Sequence, residues 1–276
     1  MKKLSGLTIV LTPVFNDLES LKILVNKISS DRNRIHFLII DDCSTEDSIT
    51  YSTVPLESCS GEIINLEKNL GHQGAISYGL NYINSNYSEY LNVVVMDSDG
   101  EDKPESIIEL NNEIQQKGLD LVVASRRSRK NSFQFKLFYF LYKLIFFYFT
   151  GSKLDFGNFI ILNNKALIKL VKIKNLNIHL AASVLSSSIN YGSIKLDRGA
   201  RYKGESKMNF IGLFLHGMRS LVVLEDRVFR RGVFILTILF IPVIFFPYKA
   251  ISFTIFSLHV ALYLFLIFYR TKLTAE

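Results

Sequence analysis

Leu91-Asn92-Val93-Val94-Val95-Met96-Asp97-Ser98-Asp99 is the stretch on which the reading of this chain turns. The apolar run 91–96 has the length and β-branched content of a buried strand. It ends in two carboxylates, Asp97 and Asp99, at i and i+2. Open α/β sheets bind ligands in the crevice outside the carboxyl ends of their strands. Paired acids there suit a divalent cation that bridges to a diphosphate, because hard cations take oxygen ligands. Alone, Asp-x-Asp is equally a turn, so the rest of the chain must decide.

Working outward, the pattern predicts strands over 7–12, 36–40, 63–66, 91–96 and 119–124. Helices are expected over 17–29, 74–84 and 104–116. Strands alternating with helices imply βαβ units and a mostly parallel sheet. No internal repeat or low-complexity linker interrupts them.

The chain has 276 residues, 49% of them apolar, a net charge of +7 and a mean hydropathy of +0.22. The apolar residues concentrate in 133–150 and 232–269. The basic excess lies beside these segments, which points to an anionic membrane surface. No basic domain with nucleic-acid motifs is present, so a nucleic-acid partner is excluded. Cys43 and Cys59 have no metal or redox spacing and are expected to be reduced. Met1-Lys2-Lys3-Leu4-Ser5-Gly6 leads into a strand without the features of a signal peptide, so the N-terminal domain is expected in the cytosol.

The runs 232–248 and 250–269 each approach the length of a bilayer span and are separated only by Pro247-Tyr248-Lys249. The expectation is a two-helix transmembrane hairpin. Arg227, Arg230 and Arg231 precede it and Arg270 and Lys272 follow it, which places both termini in the cytoplasm. Segment 133–150 carries Lys136 and Lys143 on one face and reads as a helix lying in the headgroup plane, with a third span as the alternative. Segment 208–223 reads as a second interfacial helix. The expected organisation is a core over 1–132, the remainder of the catalytic domain over 133–226 with a basic loop at 201–207, and the hairpin over 227–276.

Five ordered motifs then carry a resemblance. They are Thr12-Pro13-Val14-Phe15-Asn16-Asp17, Ile40-Asp41-Asp42-Cys43-Ser44-Thr45-Glu46-Asp47, Asn69-Leu70-Gly71-His72-Gln73-Gly74-Ala75, Asp97-Ser98-Asp99-Gly100-Glu101-Asp102 and Arg201-Tyr202-Lys203-Gly204-Glu205-Ser206-Lys207. In this order they resemble the motifs of family 2 glycosyltransferases with the GT-A fold, a Rossmann-like α/β architecture. Within that family the chain is most similar to the polyprenyl-phosphate sugar synthases, the group of dolichol-phosphate mannose synthase and the bacterial undecaprenyl-phosphate (bactoprenol) glucosyltransferases.

Each motif also has a physical reading. Pro13, Phe15 and Asp17 lie just past the first strand, where Phe15 offers an apolar contact and Asp17 either accepts a base or ribose hydrogen bond or caps the next helix. Ile40 and Asp42 border the nucleotide, with Asp42 a receiver for a base N–H; Asp41 reads as structural, and Ser44 and Asp47 as turn or cap residues. The resemblance implies that Asp97 and Ser98 border the ribose and metal shell, that Asp99 binds the metal, and that Glu101 stands where the family often has a metal-binding Gln. The expected metal is Mg²⁺ or Mn²⁺, held by Asp97, Asp99 and Glu101. Asp102 is a group behind the ligands or a cap before Pro104. Arg201 and Lys207 flank Gly204 in a loop able to close over a diphosphate, or else form a juxtamembrane basic stretch. The resemblance implies a donor-site or acceptor-phosphate position for Arg126, and Arg127 and Arg129 are expected with it at the acceptor phosphate, with a lipid-surface patch as the alternative for those two. His72 and His179 are assigned no catalytic role, because no partner is visible in the sequence. Asp155-Phe156-Gly157-Asn158-Phe159 departs from the family pattern by lacking its Arg, and Asn158 reads as a sugar contact or a turn residue.

The implied activity is transfer of a sugar, with inversion, from a UDP- or GDP-sugar to a polyprenyl phosphate at the inner (cytoplasmic) membrane. Asp97, Asp99 and Arg126 are the residues expected to carry it. A homo-oligomer is left open. The alternatives are action on another lipid-linked saccharide and a non-catalytic nucleotide-sugar-binding scaffold.

Overall fold

Strands that are apolar on both faces need helices on both sides of their sheet. The computed structural model, which describes residues 1–28, 34–56, 60–126, 133–204, 210–245 and 249–275, has that arrangement. The chain divides into two compact units: Met1–Lys130 with Asp155–Lys207, and Asn131–Leu154 with Met208–Glu276.

In the first unit the elements run β1 (Lys2–Lys3), β2 (Thr8–Val14), α1 (Leu18–Ile28), β3 (Ile35–Asp41), β4 (Ser60–Asn65) and α2 (Gly71–Asn86). They continue through β5 (Tyr87–Ser88), β6 (Asn92–Val95), α3 (Ser106–Gln116) and β7 (Leu121–Arg126). After α4 (Phe133–Thr150) of the other unit come β8 (Phe156–Leu162), α5 (Asn164–Leu170), α6 (Leu180–Ser186) and β9 (Tyr191–Leu196). Seven strands form one sheet in the order β4-β3-β2-β6-β8-β7-β9. Every pairing in it is parallel except those of β8, which runs against β6 and β7.

Alternate residues of each central strand feed opposite cores. Val10, Val14, Phe37, Ile39, Val94 and Met96 pack with α1 and α3. Ile9, Leu11, Leu38, Ile40, Val93 and Val95 pack with α2, α5 and α6. A one-residue slip in register would exchange the two sets, so the pairing is strongly specified. Pro13 fits inside β2 for a local reason. Thr8 N–H donates to Arg34 C=O on the β3 side, and Met96 N–H donates to Leu11 C=O on the β6 side. Pro13 therefore faces the β6 side, beyond the last paired residue, Leu11, and no ladder bond is lost.

The five expected strands and three expected helices correspond to β2, β3, β4, β6, β7 and α1, α2, α3. The sequence reading missed β8 and β9. The β9 residues are mostly exposed or half-exposed, so this edge strand lacks the buried apolar run that marks the others. Residues 155–159 were read as a motif rather than as the start of a strand.

In the second unit α4 packs with α7 (Phe210–Val223), α8 (Glu225–Phe245) and α9 (Lys249–Ala275). α8 and α9 are antiparallel: Arg270 pairs with Glu225 at 3.0 Å, and Tyr263 O–H donates to Val228 C=O at 2.7 Å. Tyr148 of α4 meets His259 of α9 at 2.9 Å. Among the described residues one helical stretch, Phe253–Lys272, is long and apolar enough to cross a bilayer, with a mean hydropathy of 1.6. The expected two-helix hairpin is not confirmed, and its first run, 232–248, extends beyond the described residues. Arg227, Arg230 and Arg231 occupy the first two turns of α8, ahead of the apolar run that begins at Gly232. Residues 246–248, including the expected turn, lie outside the described residues.

At the amino edge of the sheet, Glu62 joins several elements. Lys2 Nζ, Tyr82 O–H and Tyr87 O–H all donate to its carboxylate, at 2.6, 2.5 and 2.7 Å. Burial alone would raise the Glu62 carboxyl, but these three donors outweigh it and hold the group down at about 2. A depressed carboxyl contributes stability above its unfolded pKa, and that contribution is lost as pH falls through the folded one. Glu62→Gln is expected to lower stability by about 1–3 kcal/mol at neutral pH. The difference from wild type should shrink as pH falls from about 4.5 toward about 2, as read by thermal unfolding.

Candidate functional site

Because β2, β3, β6, β7 and β9 run the same way, the segments that follow them emerge at one edge of the sheet. That edge carries Phe15 and Asp17 after β2, Asp42 after β3, Asp97–Asp102 after β6, Arg126 at the end of β7 and the loop 197–204 after β9. β8 runs in reverse, so its beginning lies at the same edge: Phe156 pairs with Ser125. Asn158 is therefore a strand residue and not part of a turn.

The acidic stretch and the loop after β9 are joined along their backbones. Tyr202 N–H donates to Asp99 C=O at 2.8 Å, and Gly199 N–H donates to Glu101 C=O at 2.9 Å. Two glycines permit this. Gly100 has φ +89°, and a Cβ there would lie 2.6 Å from the Tyr202 ring; a Cβ on Gly199 would lie 2.3 Å from the Gly100 carbonyl oxygen. The join places opposite charges together. Arg201 Nη2 lies 2.8 Å from Asp99 Oδ2, and its Nε lies 3.5 Å from Glu101 Oε1. Arg198 pairs with Glu101 Oε2. Lys27 of α1 sits 4.5 Å from the Tyr202 ring centre, and Lys203 pairs with Glu19 at 3.4 Å, so the loop is also held from the α1 side.

Asp97 is held by α2. His72 Nε2 lies 3.2 Å from Asp97 Oδ1 and 2.9 Å from Asn158 Nδ2. The Asn158 amide is oriented by a chain of bonds: Leu180 N–H donates to Gln73 Oε1 at 2.6 Å, and Gln73 Nε2 donates to Asn158 Oδ1 at 3.0 Å. Nε2 therefore accepts from Asn158 when unprotonated and pairs with Asp97 when it carries a proton. Burial pushes the His72 imidazole down, but Asp97 outweighs this and raises it. His72 thus has two partners that the sequence alone did not reveal. His179 is a helix cap, its Nδ1 accepting from Ala182 N–H.

Burial likewise opposes ionisation of Asp97, but His72, Arg198 and Arg201 prevail and hold its carboxyl below the ordinary range. Asp99 is shifted upward, by burial first and by Asp97 after it, against the Glu101 N–H bond and Arg201. Burial pushes Asp102 up to about 8, with the Asp97 charge adding to it. Asp102 Oδ2 accepts Asp97 N–H at 3.1 Å, so it supports the acidic stretch and does not cap α3.

On the other side of the edge, Phe15 is exposed, in keeping with an apolar contact surface, while Asp17 Oδ1 accepts Ser20 N–H and caps α1. Asp42 is buried, and its Oδ1 accepts Leu70 N–H at 2.7 Å, fixing the turn into α2. Burial raises its carboxyl against the Leu70 and Gly71 amides. The Ile40 side chain is fully buried in the core, which leaves only its main chain to face a ligand. Pro13 is buried in β2 and Ser98 beside the acids. Arg126 closes β7, paired in register with Leu196. Arg127, Arg129 and Lys207 lie outside the described residues.

Asp97 and Asp99 supply hard oxygen donors. One or two carboxylates plus substrate phosphates form the usual Mg²⁺ set, so this pair fits a cation that arrives with a diphosphate. Among the described residues no three His, Cys, Asp or Glu side chains are grouped to hold a metal alone. Glu101, expected as a third ligand, has both carboxylate oxygens facing arginines, as Asp99 Oδ2 faces Arg201. Sequence reasoning missed Arg198, Tyr202 and Gln73. The only signal for Arg198 was its spacing of three from Arg201, with Gly199 between.

Comparison with known proteins places this geometry. Residues 9–169 match the model of glycosyl transferase family 2. A dodecaprenyl-phosphate galacturonate synthase of Rhizobium johnstonii is 27% identical over 212 residues, 72% of this chain; the match spans 60% of that protein's length. An undecaprenyl-phosphate 4-deoxy-4-formamido-L-arabinose transferase of Yersinia enterocolitica is 28% identical over 137 residues, 48% of this chain and 40% of the transferase. Among solved structures, glucosyl-3-phosphoglycerate synthase of Mycobacterium tuberculosis with Mn²⁺, UDP-glucose and phosphoglyceric acid aligns with a TM-score of 0.56 at 13% identity. That alignment covers 81% of this chain and 80% of that one, and the shared fold is GT-A.

The Asp102 shift has a measurable consequence. Its folded pKa lies above the unfolded value, so the stability it contributes is full below about 3.9 and is lost as pH rises through about 8. Asp102→Asn cannot ionise and is expected to raise the thermal midpoint over wild type more at about pH 8.5 than at about pH 5. Equal changes at both pH values would contradict a protonated Asp102.

Proposed function

The chain belongs to glycosyl transferase family 2, and we propose that it moves a sugar from a nucleoside diphosphate to the phosphate of a polyprenyl lipid, with inversion at the anomeric carbon. The observation that carries this reading is the acidic stretch Asp97–Glu101 bound by Arg198 and Arg201 at the carboxyl edge of the sheet. The names of the relatives, two of them transferring sugars to polyprenyl phosphates, support the acceptor. The apolar stretch Phe253–Lys272 supports attachment to the membrane where such a lipid resides.

In this reading Phe15 and the main chain at Pro13 and Ile40 border the nucleoside. Asp17 and Asp42, already engaged by α1 and by the turn into α2, complete that border. Asp97 and Asp99, with Ser98 between them, hold a Mg²⁺ or Mn²⁺ ion, which when bound supplies Lewis-acid stabilisation of the departing diphosphate. Arg201 and Lys207 neutralise the same charge, Arg201 by leaving Asp99 for the phosphate oxygens, where its planar fork pairs well. Asn158 and His72, locked in orientation through Gln73, stand where the sugar hydroxyls are positioned. Arg126, with Arg127 and Arg129, receives the acceptor phosphate. That phosphate has a second ionisation near pH ~6 and needs no strong general base at neutral pH. The protein's part is to align it with the anomeric carbon and exclude water.

The test uses membranes containing the full chain, a panel of labelled UDP- and GDP-sugars, Mg²⁺ or Mn²⁺, and undecaprenyl phosphate. One label is expected to move into the organic phase as a single sugar on the lipid phosphate. Asp99→Asn should reduce that transfer by about 10²–10³-fold without changing membrane insertion. Absence of transfer with every donor would overturn the reading.

A further inference from the structure

Four acids stand within six residues here, Asp97, Asp99, Glu101 and Asp102. Like charges at this spacing disfavour one another's ionisation. The structure gives three of them a cationic neighbour: His72 faces Asp97, Arg201 faces Asp99 and, at 3.5 Å, also Glu101, and Arg198 faces Glu101. Glu101 is the carboxylate this chain places where the resemblance expects an uncharged Gln, and Arg198 is the cation that meets it. Beside Arg198, Gly199 N–H is bonded to the Glu101 carbonyl, and a Cβ at position 199 would lie 2.3 Å from the Gly100 carbonyl oxygen, so the loop meets the acidic stretch here only with glycine.

We infer that Arg198 is a positioning residue that keeps the Glu101 carboxylate out of the cation's shell and thereby sets how tightly the acidic stretch binds a divalent ion. The inference rests on the proposed cation–diphosphate site. With Glu101 engaged by Arg198, Asp97 and Asp99 remain as the protein's oxygen donors, and the ion needs the diphosphate to complete its set. With Arg198 removed, Glu101 keeps only the longer contact with Arg201, 3.5 Å from its Oε1, and its Oε2 becomes available as a third carboxylate donor beside them. The ion would then bind without nucleotide, and its release with the product diphosphate would be slowed.

The experiment measures Mn²⁺ binding to the full-length protein, from the loss of the free-ion electron paramagnetic resonance signal, with and without UDP. Wild type should bind Mn²⁺ much more tightly with UDP than without it. Arg198→Gln should strengthen binding without UDP by roughly tenfold, since a freed carboxylate beside a divalent ion adds a strong attraction. Glu101→Gln should leave the Mn²⁺ affinity within about threefold of wild type, because that carboxylate is already engaged. The double variant should behave like Glu101→Gln, a non-additivity that a purely structural role would not produce. Arg198→Lys, which keeps the charge, should restore wild-type binding, with thermal midpoints as the control for folding.

An unchanged or weakened affinity in Arg198→Gln, or a strengthening that persists in the Glu101→Gln background, overturns the inference. If Arg198→Gln does not fold, a tenfold weakening in Glu101→Gln overturns it by revealing Glu101 as a ligand. Wild type that binds no Mn²⁺ even with UDP removes the cation site itself and this inference with it, an outcome distinct from normal wild-type binding with no effect of Arg198.

Discussion

The constraint on which the site depends is the crowding of carboxylates at the end of β6. A buried, unpaired carboxylate is costly, and several adjacent ones are more so. The fold meets this with cationic neighbours for three of the acids and burial for the fourth. His72 comes from the start of α2, Arg198 and Arg201 come from the loop after β9, and burial with the Asp97 charge pushes Asp102 up to about 8. The backbone bonds from Gly199 and Tyr202 to the acidic stretch register this loop so that Arg201 meets Asp99 and both arginines meet Glu101.

The sheet makes the arrangement possible. β6 and β9 lie apart in the strand order, with β8 and β7 between them, yet both present their carboxyl ends at one edge. The reversed β8 brings Asn158 to that edge as well, and Gln73 ties it to α2 and α6. The site is thus assembled from segments far apart in sequence, each set by a rigid strand or helix, with Tyr202 packed on Gly100 as the joint between two of them. Arginines that neutralise carboxylates in this way are also suited to move onto a phosphate, where the same planar fork finds equivalent oxygens.

Much of this was legible in the sequence, and the reasons differ by element. β2, β3 and β6 are buried on both faces, so their apolar runs are continuous and their acidic ends conspicuous. β9 escaped notice because an edge strand needs little hydrophobicity, and with it went the origin of the loop carrying Arg198. His72 was set aside for want of a partner, since Asp97 and Asn158 are its neighbours only after α2 and β8 meet at the edge. Asp42 was read as a ligand contact, and the fold gives one of its oxygens to the Leu70 amide, a three-dimensional bond that no spacing reveals. In the tail, the runs 232–248 and 250–269 are evident from composition, and among the described residues Phe253–Lys272 is the stretch long and apolar enough to span.

The most direct measurement is a structure of the full protein with a UDP- or GDP-sugar and Mn²⁺. The account predicts the ion on Asp97 and Asp99, with the Arg201 guanidinium moved from Asp99 to the diphosphate. A nucleotide bound away from the carboxyl edge, or one bound there while Arg201 stays on Asp99, would contradict it.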